Sequence, residues 1–413
     1  MFRSRSPIAL ALAAQIVSAP VLAADDFHSL FSKGISIHDA MNWGSLTSDK
    51  MTYIPAPFSD KVHPFSEEEL AIIHAAGFNF IRLTVDPGPF LQMKGSDRDA
   101  LDSLIVERVK KALAENLSII VDFHPASQVP AYSAKALVAD ADNQLFHDYC
   151  DLLTRTAKLL DGIGSPRIAL ELMNEPQIGW GRAGYEKWQH MQEALYDAAR
   201  RGSPKLKLVL TGGDGGSAKA LINVNPAHFA ADSAAVFTFH YYLPYDFTMQ
   251  SLPEDATRKL EQDMPYPADA RPVEDSLSAL KKREDDLHMT SADKDAEQAK
   301  ALPLLQAYHQ SAFSRQTIAD TFDSVKNWAR ANQIPSERIF VGEFGVTRRY
   351  GKYHGAREEE RTAWLTDVHD IAEANHFPWG VWAYRGFGGM ALVRDDNTEQ
   401  LDTNTLKALK LVH

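Results

Sequence analysis

A single cysteine, Cys150, stands in 413 residues, so no intramolecular disulfide is available, and no CxxC or Cys/His cluster offers a thiolate-held metal. The fold must rest on packing. No run of about twenty apolar residues is there to span a bilayer. Also missing is a basic stripe: 43 Lys plus Arg against 55 Asp plus Glu leave a net charge of -12, which argues against a nucleic-acid partner. What remains is an ordinary globular composition, 45% hydrophobic and 24% charged, long enough for one large core or two modest ones.

The first two dozen residues differ from the rest. Arg3 and Arg5 precede an apolar run from Ile8 to Val17, small residues lead to Ala23 and Ala24, and an acidic stretch starts at Asp25. This pattern predicts a secretory signal over residues 1–24, a secreted or periplasmic location and no stable membrane anchor. Its removal takes away two arginines and no acid, which moves the net charge from -12 to -14.

Short β-branched or aromatic runs then recur, each followed by helical periodicity: Lys33 to Ile37, Phe78 to Val85, Leu117 to Phe123, Ile168 to Met173, Leu206 to Leu210, Ala235 to His240, Arg338 to Glu343 and Pro378 to Tyr384. Near-continuous apolar strands alternating with helices predict a parallel sheet covered on its faces. Eight units predict an α/β fold, a closed (β/α)8 TIM barrel, with a doubly wound open sheet as the alternative. Ser66 with Glu69 forms a capping box ahead of a stripe of Leu70, Ile73 and His74. Leu101, Ile105 and Val109 mark a second helix, and Ile318, Phe322, Val325 and Trp328 a third.

One catalytic domain over residues 25–413 is expected, carrying a long charged insertion between strands six and seven, residues 244–312. Thirteen acids and eight bases fall between Glu254 and Lys300 with few apolar residues, so a solvated, partly helical excursion is expected. It is either a tolerated insertion or, because loops after barrel strands face the catalytic side, a flap over the site.

Two glutamates end apolar strands: Leu172-Met173-Asn174-Glu175-Pro176 after the fourth, and Val341-Gly342-Glu343-Phe344-Gly345 after the seventh. Both Asn174 and Glu175 can address the barrel mouth only if the chain leaves the strand there. Pro176 is expected to hold Glu175 extended. His240 and Tyr242 are two apart and share a face, leaving Tyr241 for packing. The cluster Gly212, Gly213, Gly215 and Gly216 around Asp214 lacks the lysine of a phosphate loop and reads as a turn.

With Asn174-Glu175-Pro176 and Glu343-Phe344-Gly345 as its most specific elements, and Arg82, His124, His240, Tyr242 and Trp382 at successive strand ends, the chain resembles glycoside hydrolase family 5. That resemblance implies a retaining β-glycosidase with Glu175 as acid/base and Glu343 as nucleophile. It implies that Arg82, Tyr242 and His240 support them, and that Asn174, His124 and Trp382 bind sugar, with the peptide from Trp382 to Ala383 cis as in relatives. Trp43, beside Asn42, is a candidate for the glycone side and Trp180 for the leaving-group side. The implied activity is cleavage of β-1,4-linked glucan, with an endoglucanase first; β-mannanase, exo-β-glucosidase and transglycosylase are alternatives within the same chemistry. A non-catalytic glycan-binding barrel and a metal-dependent barrel hydrolase are alternatives of other classes. No cofactor or metal is expected, and the partner is a polysaccharide or oligosaccharide bound by a monomer.

Overall fold

A computed structural model of the chain describes residues 27–59, 64–179, 181–253, 255, 258–350, 353–385, 389–394 and 398–411. Eight parallel strands close into a barrel: β1 (Lys33–Met41), β2 (Phe80–Val85), β3 (Ser118–Phe123), β4 (Ile168–Glu171), β5 (Lys207–Thr211), β6 (Ala235–Tyr241), β7 (Ile339–Phe344) and β8 (Trp379–Val381). Each pairs with the next in sequence, and β8 returns to β1. The (β/α)8 barrel is therefore the fold, and the open sheet is not. The predicted cleaved segment, residues 1–24, lies outside the described residues.

Helices cover the outside as their stripes predict. Ser66 and Glu69 form the reciprocal capping box of Glu67–Ala75, whose Leu70 and Ile73 are buried. His74, expected on the same stripe, is exposed instead; it sits at the edge of the stripe in the last turn, where a hydrated imidazole suits the helix C-terminus. Gly95–Ala114 buries Leu101, Ile105 and Val109, and Arg315–Ala331 buries Ile318, Phe322, Val325 and Trp328.

The lumen is layered by strand periodicity, because residues two apart share a side. Its floor is a separate apolar cluster of Phe80, Ile120, Ala169, Val209, Val236 and Phe340, closed below by Phe27 and Phe31. Those two rings stack 4.6 Å apart. Gly34 has to lack a side chain here, since a Cβ would fall 2.0 Å from the Phe80 ring. One layer up, the same faces carry Arg82 (two after Phe80), Asp122 (two after Ile120) and Glu171 (two after Ala169), all with no exposed surface. Apolar packing thus fixes the strands beneath a charged layer.

The residues between β6 and β7 form a short helix Tyr245–Thr248, then Val273–Asp286 and Ser291–Gln310, before the barrel helix Arg315–Ala331. The segment is partly helical, as expected, but it is less solvated than its composition predicts: Leu260, Met264, Tyr266, Leu280, Leu305 and Tyr308 are buried. Few apolar residues suffice because they converge. The segment is tied to the flank helix Glu358–Ala374 by Tyr266 Oη to Asp367 (2.7 Å) and by Arg271 Nε to Glu360 (2.8 Å). Of the excursion, Tyr245, Met249 and Leu252 reach the cleft at the barrel mouth. No helix among the described residues is long and apolar enough to cross a membrane.

Candidate active site

Strict alternation along β7 would turn Glu343 out of the barrel, because Phe340, three residues earlier, faces in. A register shift prevents this: Phe239 pairs with Val341, and the next residue, His240, pairs with Glu343. Such an irregularity re-aims a side chain. The skipped residue is Gly342, where a Cβ would lie 2.5 Å from Thr238 Oγ1 and 3.0 Å from the His240 ring. Glu343 is buried at the top of the lumen.

There its two oxygens are held separately. Arg82 Nη1 donates to Oε1 at 2.6 Å, and Tyr242 Oη donates to Oε2 at 2.8 Å. Burial opposes ionisation, but His240 and Arg82 outweigh it and hold the Glu343 carboxyl below its ordinary pKa. Arg82 itself is a hub. Its Nε and Nη2 grip Glu171 at 2.7 and 2.9 Å, and Nη2 also reaches Asn174 Oδ1 at 2.8 Å and Asp122 at 2.9 Å. Burial works against the guanidinium charge, and Asp122, Glu171 and Glu343 more than compensate, so Arg82 stays charged. Burial pushes the Asp122 carboxyl up to about 7 and raises Glu171 as well, Arg82 opposing in each case.

Glu175 faces Glu343 across the lumen. One oxygen of each glutamate and a ring nitrogen of His240 lie within 4.8 Å of one another, near the ~5–5.5 Å of retaining pairs and short of the ~6.5–9.5 Å that an inverting pair leaves for water. His240 Nδ1 is 2.8 Å from Glu175 Oε1 and 3.5 Å from Glu343 Oε2. The three groups also have metal-ligand chemistry, but an arginine and a tyrosine already occupy both Glu343 oxygens with donors, which a cation would have to displace. The expectation that Pro176 holds Glu175 extended is wrong: Glu175 has φ 36°, in the left-handed region. The chain leaves β4 after Glu171, and the Asn174 amide donates to Phe123 O at 2.8 Å. That sharp turn is what lets Asn174 and Glu175 both enter the mouth, and its contacts override the local preference of a residue before proline.

The remaining sequence-predicted residues mostly converge. Asn174 Nδ2 is 3.3 Å from His124 Nε2, and His124 Nδ1 is 2.9 Å from Asp122. Burial, foremost, lowers the His124 pKa to about 3, so the ring is neutral. It stacks on Trp382, centroids 5.6 Å apart. The peptide from Trp382 to Ala383 is cis. Tyr241 points away and stacks on Trp364. Trp43 is half-buried; its Nε1 donates to His38 Nε2 at 2.8 Å, His38 Nδ1 meets Thr84 Oγ1 at 2.9 Å, and the His38 ring packs 4.7 Å from that of Trp382. Because Nε2 accepts, His38 is the neutral Nδ1–H tautomer, and burial, with His124 beside it, holds its pKa well below the usual imidazole value. Asn42 is fully buried and donates to His124 O. Trp180 lies outside the described residues.

The cleft has a volume of about 460 Å³ and is bordered by His124, Glu175, Asp214, Tyr242, Tyr245, Met249, Leu252, Glu343, Trp382 and Met390, among others. Sequence reasoning missed Glu171, Asp122 and His38. A usable signal existed for the first two: an acid inside an otherwise apolar strand run is costly unless paired.

A family model described as Cellulase (glycosyl hydrolase family 5) matches residues 61–388. The chain belongs to this family. It is 23% identical over 344 residues to Endoglucanase 3 of Fibrobacter succinogenes, a match that takes in 79% of this chain and 47% of that protein. The chain thus spans about half the length of that relative. Among solved structures, Thermotoga maritima Cel5A in complex with cellobiose superposes with a TM-score of 0.64 at 19% identity, covering 93% of this chain and 100% of that one. The cellulose synthase subunit Z of Clostridioides difficile gives 0.63 at 20%, covering 92% and 99%. At such identities these structures speak for the family 5 barrel fold alone.

Proposed function

We propose that this protein is a retaining endo-β-1,4-glucanase that works by double displacement. The observation that carries the reading is Glu343, kept ionised by Arg82 and His240 and hydrogen-bonded by Tyr242, facing Glu175 at the spacing of a retaining pair. Glu343 attacks the anomeric carbon while Glu175 gives its proton to the leaving oxygen, and the covalent glycosyl-enzyme forms. Esterified Glu343 no longer carries charge, and Glu175, having given up its proton to the leaving group, is then the ionised carboxylate that takes a proton from the incoming water. His240 Nδ1 orients Glu175 throughout. Burial works against the His240 charge, but Glu343 and Glu175 more than compensate and raise its pKa, the same attraction by which His240 keeps Glu343 ionised.

Asn174, oriented by Arg82 and His124, addresses the 2-hydroxyl of the reacting sugar, a contact that strengthens in the transition state. Trp382 offers its face to the glycone. Polar and aromatic groups border the cleft on both sides of the glutamates, which favours binding within a chain over capture of its end. Residues 1–24 are proposed to direct secretion, and a mature protein starting near Asp25 by mass spectrometry is the check.

Glu343→Ala and Glu175→Gln should each lower turnover of a soluble β-glucan by about a hundredfold or more while leaving the circular dichroism unchanged. Proton NMR of the first product should show the β-anomer. Full activity in either variant, or an α-anomer, would sink the reading. Chain-length analysis on β-glucan, mannan, xylan and xyloglucan separates the glucanase from the mannanase, exo-glucosidase and transglycosylase alternatives.

A further inference from the structure

The loop after β5 carries a feature the mechanism does not use. Asp214 adopts φ 56° and ψ 61°, and Gly215 and Gly216 follow at φ 66° and 65°, three consecutive residues in the left-handed region. For an aspartate this conformation is sterically costly. Tertiary contacts hold it there. The Gly215 amide donates to Pro176 O at 3.2 Å, which ties the loop to the residue directly after Glu175. Gly216 leaves little room for a side chain, since its Cβ would lie 3.0 Å from Thr211 Oγ1 and 3.7 Å from Glu175 Cγ.

The result is a third carboxylate bordering the cleft beside Glu175 and Glu343. Among the described residues no hydrogen bond reaches the Asp214 side chain, and its Oδ2 is buried without a partner. Burial, foremost, raises the Asp214 pKa above the ordinary aspartate value, and Lys219 opposes it. Strand order gives its side of the mouth: β8, β1, β2 and β3 carry Trp382, His38, Arg82 and His124, whereas Asp214 follows β5, on the opposite side between Glu175 after β4 and Tyr245 after β6. With the glycone on Trp382, Asp214 faces the leaving group.

We propose that Asp214 determines leaving-group specificity, its carboxylate accepting hydroxyl hydrogens of the sugar that departs with the proton of Glu175. This rests on the glucanase reading. It selects leaving groups that carry free hydroxyl donors, neutral oligosaccharides above all, over aryl or alkyl groups, and it disfavours uronic acids through like-charge repulsion.

The test compares cellopentaose, which puts sugars on the leaving-group side, with 4-nitrophenyl β-cellobioside, whose leaving group has no hydroxyl to donate. Asp214→Asn and Asp214→Gly both tolerate the left-handed backbone. The ratio of kcat/KM for cellopentaose to kcat/KM for the aryl cellobioside should fall about tenfold or more in Asp214→Gly, with a smaller fall in Asp214→Asn. A general structural defect lowers both rates together, so an unchanged ratio in Asp214→Gly overturns the proposal. A wild-type enzyme that cleaves neither substrate overturns the glucanase reading instead.

Discussion

Arg82 and Glu171 meet in a two-point grip, Nε to Oε2 at 2.7 Å and Nη2 to Oε1 at 2.9 Å, with no exposed surface on either residue. This fork aims the remaining edge of the guanidinium at Glu343 and Asn174. Bidentate pairing supplies direction as well as energy, so Glu171 positions the nucleophile without touching substrate.

Removing Glu171 leaves a buried cation short of a partner. Glu171→Ala should cost about 3–5 kcal/mol of stability, measured by denaturant unfolding. Glu171→Gln keeps the shape and loses the charge, so it should be milder in stability yet still lower kcat. Equal stability of Glu171→Ala and wild type would refute the hub.

Tyr242→Phe deletes the donor to Glu343 Oε2. A hydrogen bond to the charged form favours that form, so the acid limb of kcat/KM should move to higher pH in the variant, by about 0.5–1 unit. The sign for stability follows the same linkage. Glu343 has a folded pKa below its unfolded one; its contribution is present above the unfolded value and is lost as pH falls through the folded one. A pH–rate profile unmoved on its acid side would count against the assignment of Tyr242.

Gly342→Ala tests the register shift. Its Cβ would meet Thr238 Oγ1 and the His240 ring, so either β7 moves or His240 does. Activity should fall by about a hundredfold, accompanied by a loss of about 1–3 kcal/mol of stability from overpacking. A variant with wild-type kcat would show that this close approach is not what aims Glu343.

Glu261 is 1% exposed, both its carboxyl oxygens lack a partner among the described residues, and burial, reinforced by Asp246, pushes its pKa up to about 9. The folded state therefore binds the proton more tightly than the unfolded chain, and stability falls as pH rises from the unfolded value of about 4.3 towards 9. Glu261→Met should stabilise the protein at pH 8 by about 1–3 kcal/mol and flatten that slope, as thermal unfolding across pH 5 to 9 would show. A variant that unfolds in parallel with wild type at every pH would refute this.

Much of this was legible in the chain. Eight apolar runs at barrel spacing, two strand-end glutamates in distinctive pentapeptides, and the order of Arg82, His124, His240, Tyr242 and Trp382 are local or sequential facts, and a strand's period of two lets the lumen side be read from them. Glu171 and Asp122 carried a weaker signal, because a charge in an apolar run announces that a partner exists without saying which. His38 carried none: its neutral tautomer depends on Trp43 and Thr84, and only the closed barrel brings Thr84 to it.

Sequence by itself determined the barrel and the identity of its two facing glutamates, since hydrophobic periodicity and strand-end motifs are properties of short segments. Tertiary structure decided where those groups point. The left-handed turn at Glu175, which reverses the preference set by Pro176, the register shift at Gly342 that turns Glu343 inward, and the strained Asp214 are each locally unfavourable conformations. They persist because contacts from distant strands outweigh the local cost, and such contacts exist only once the barrel has closed.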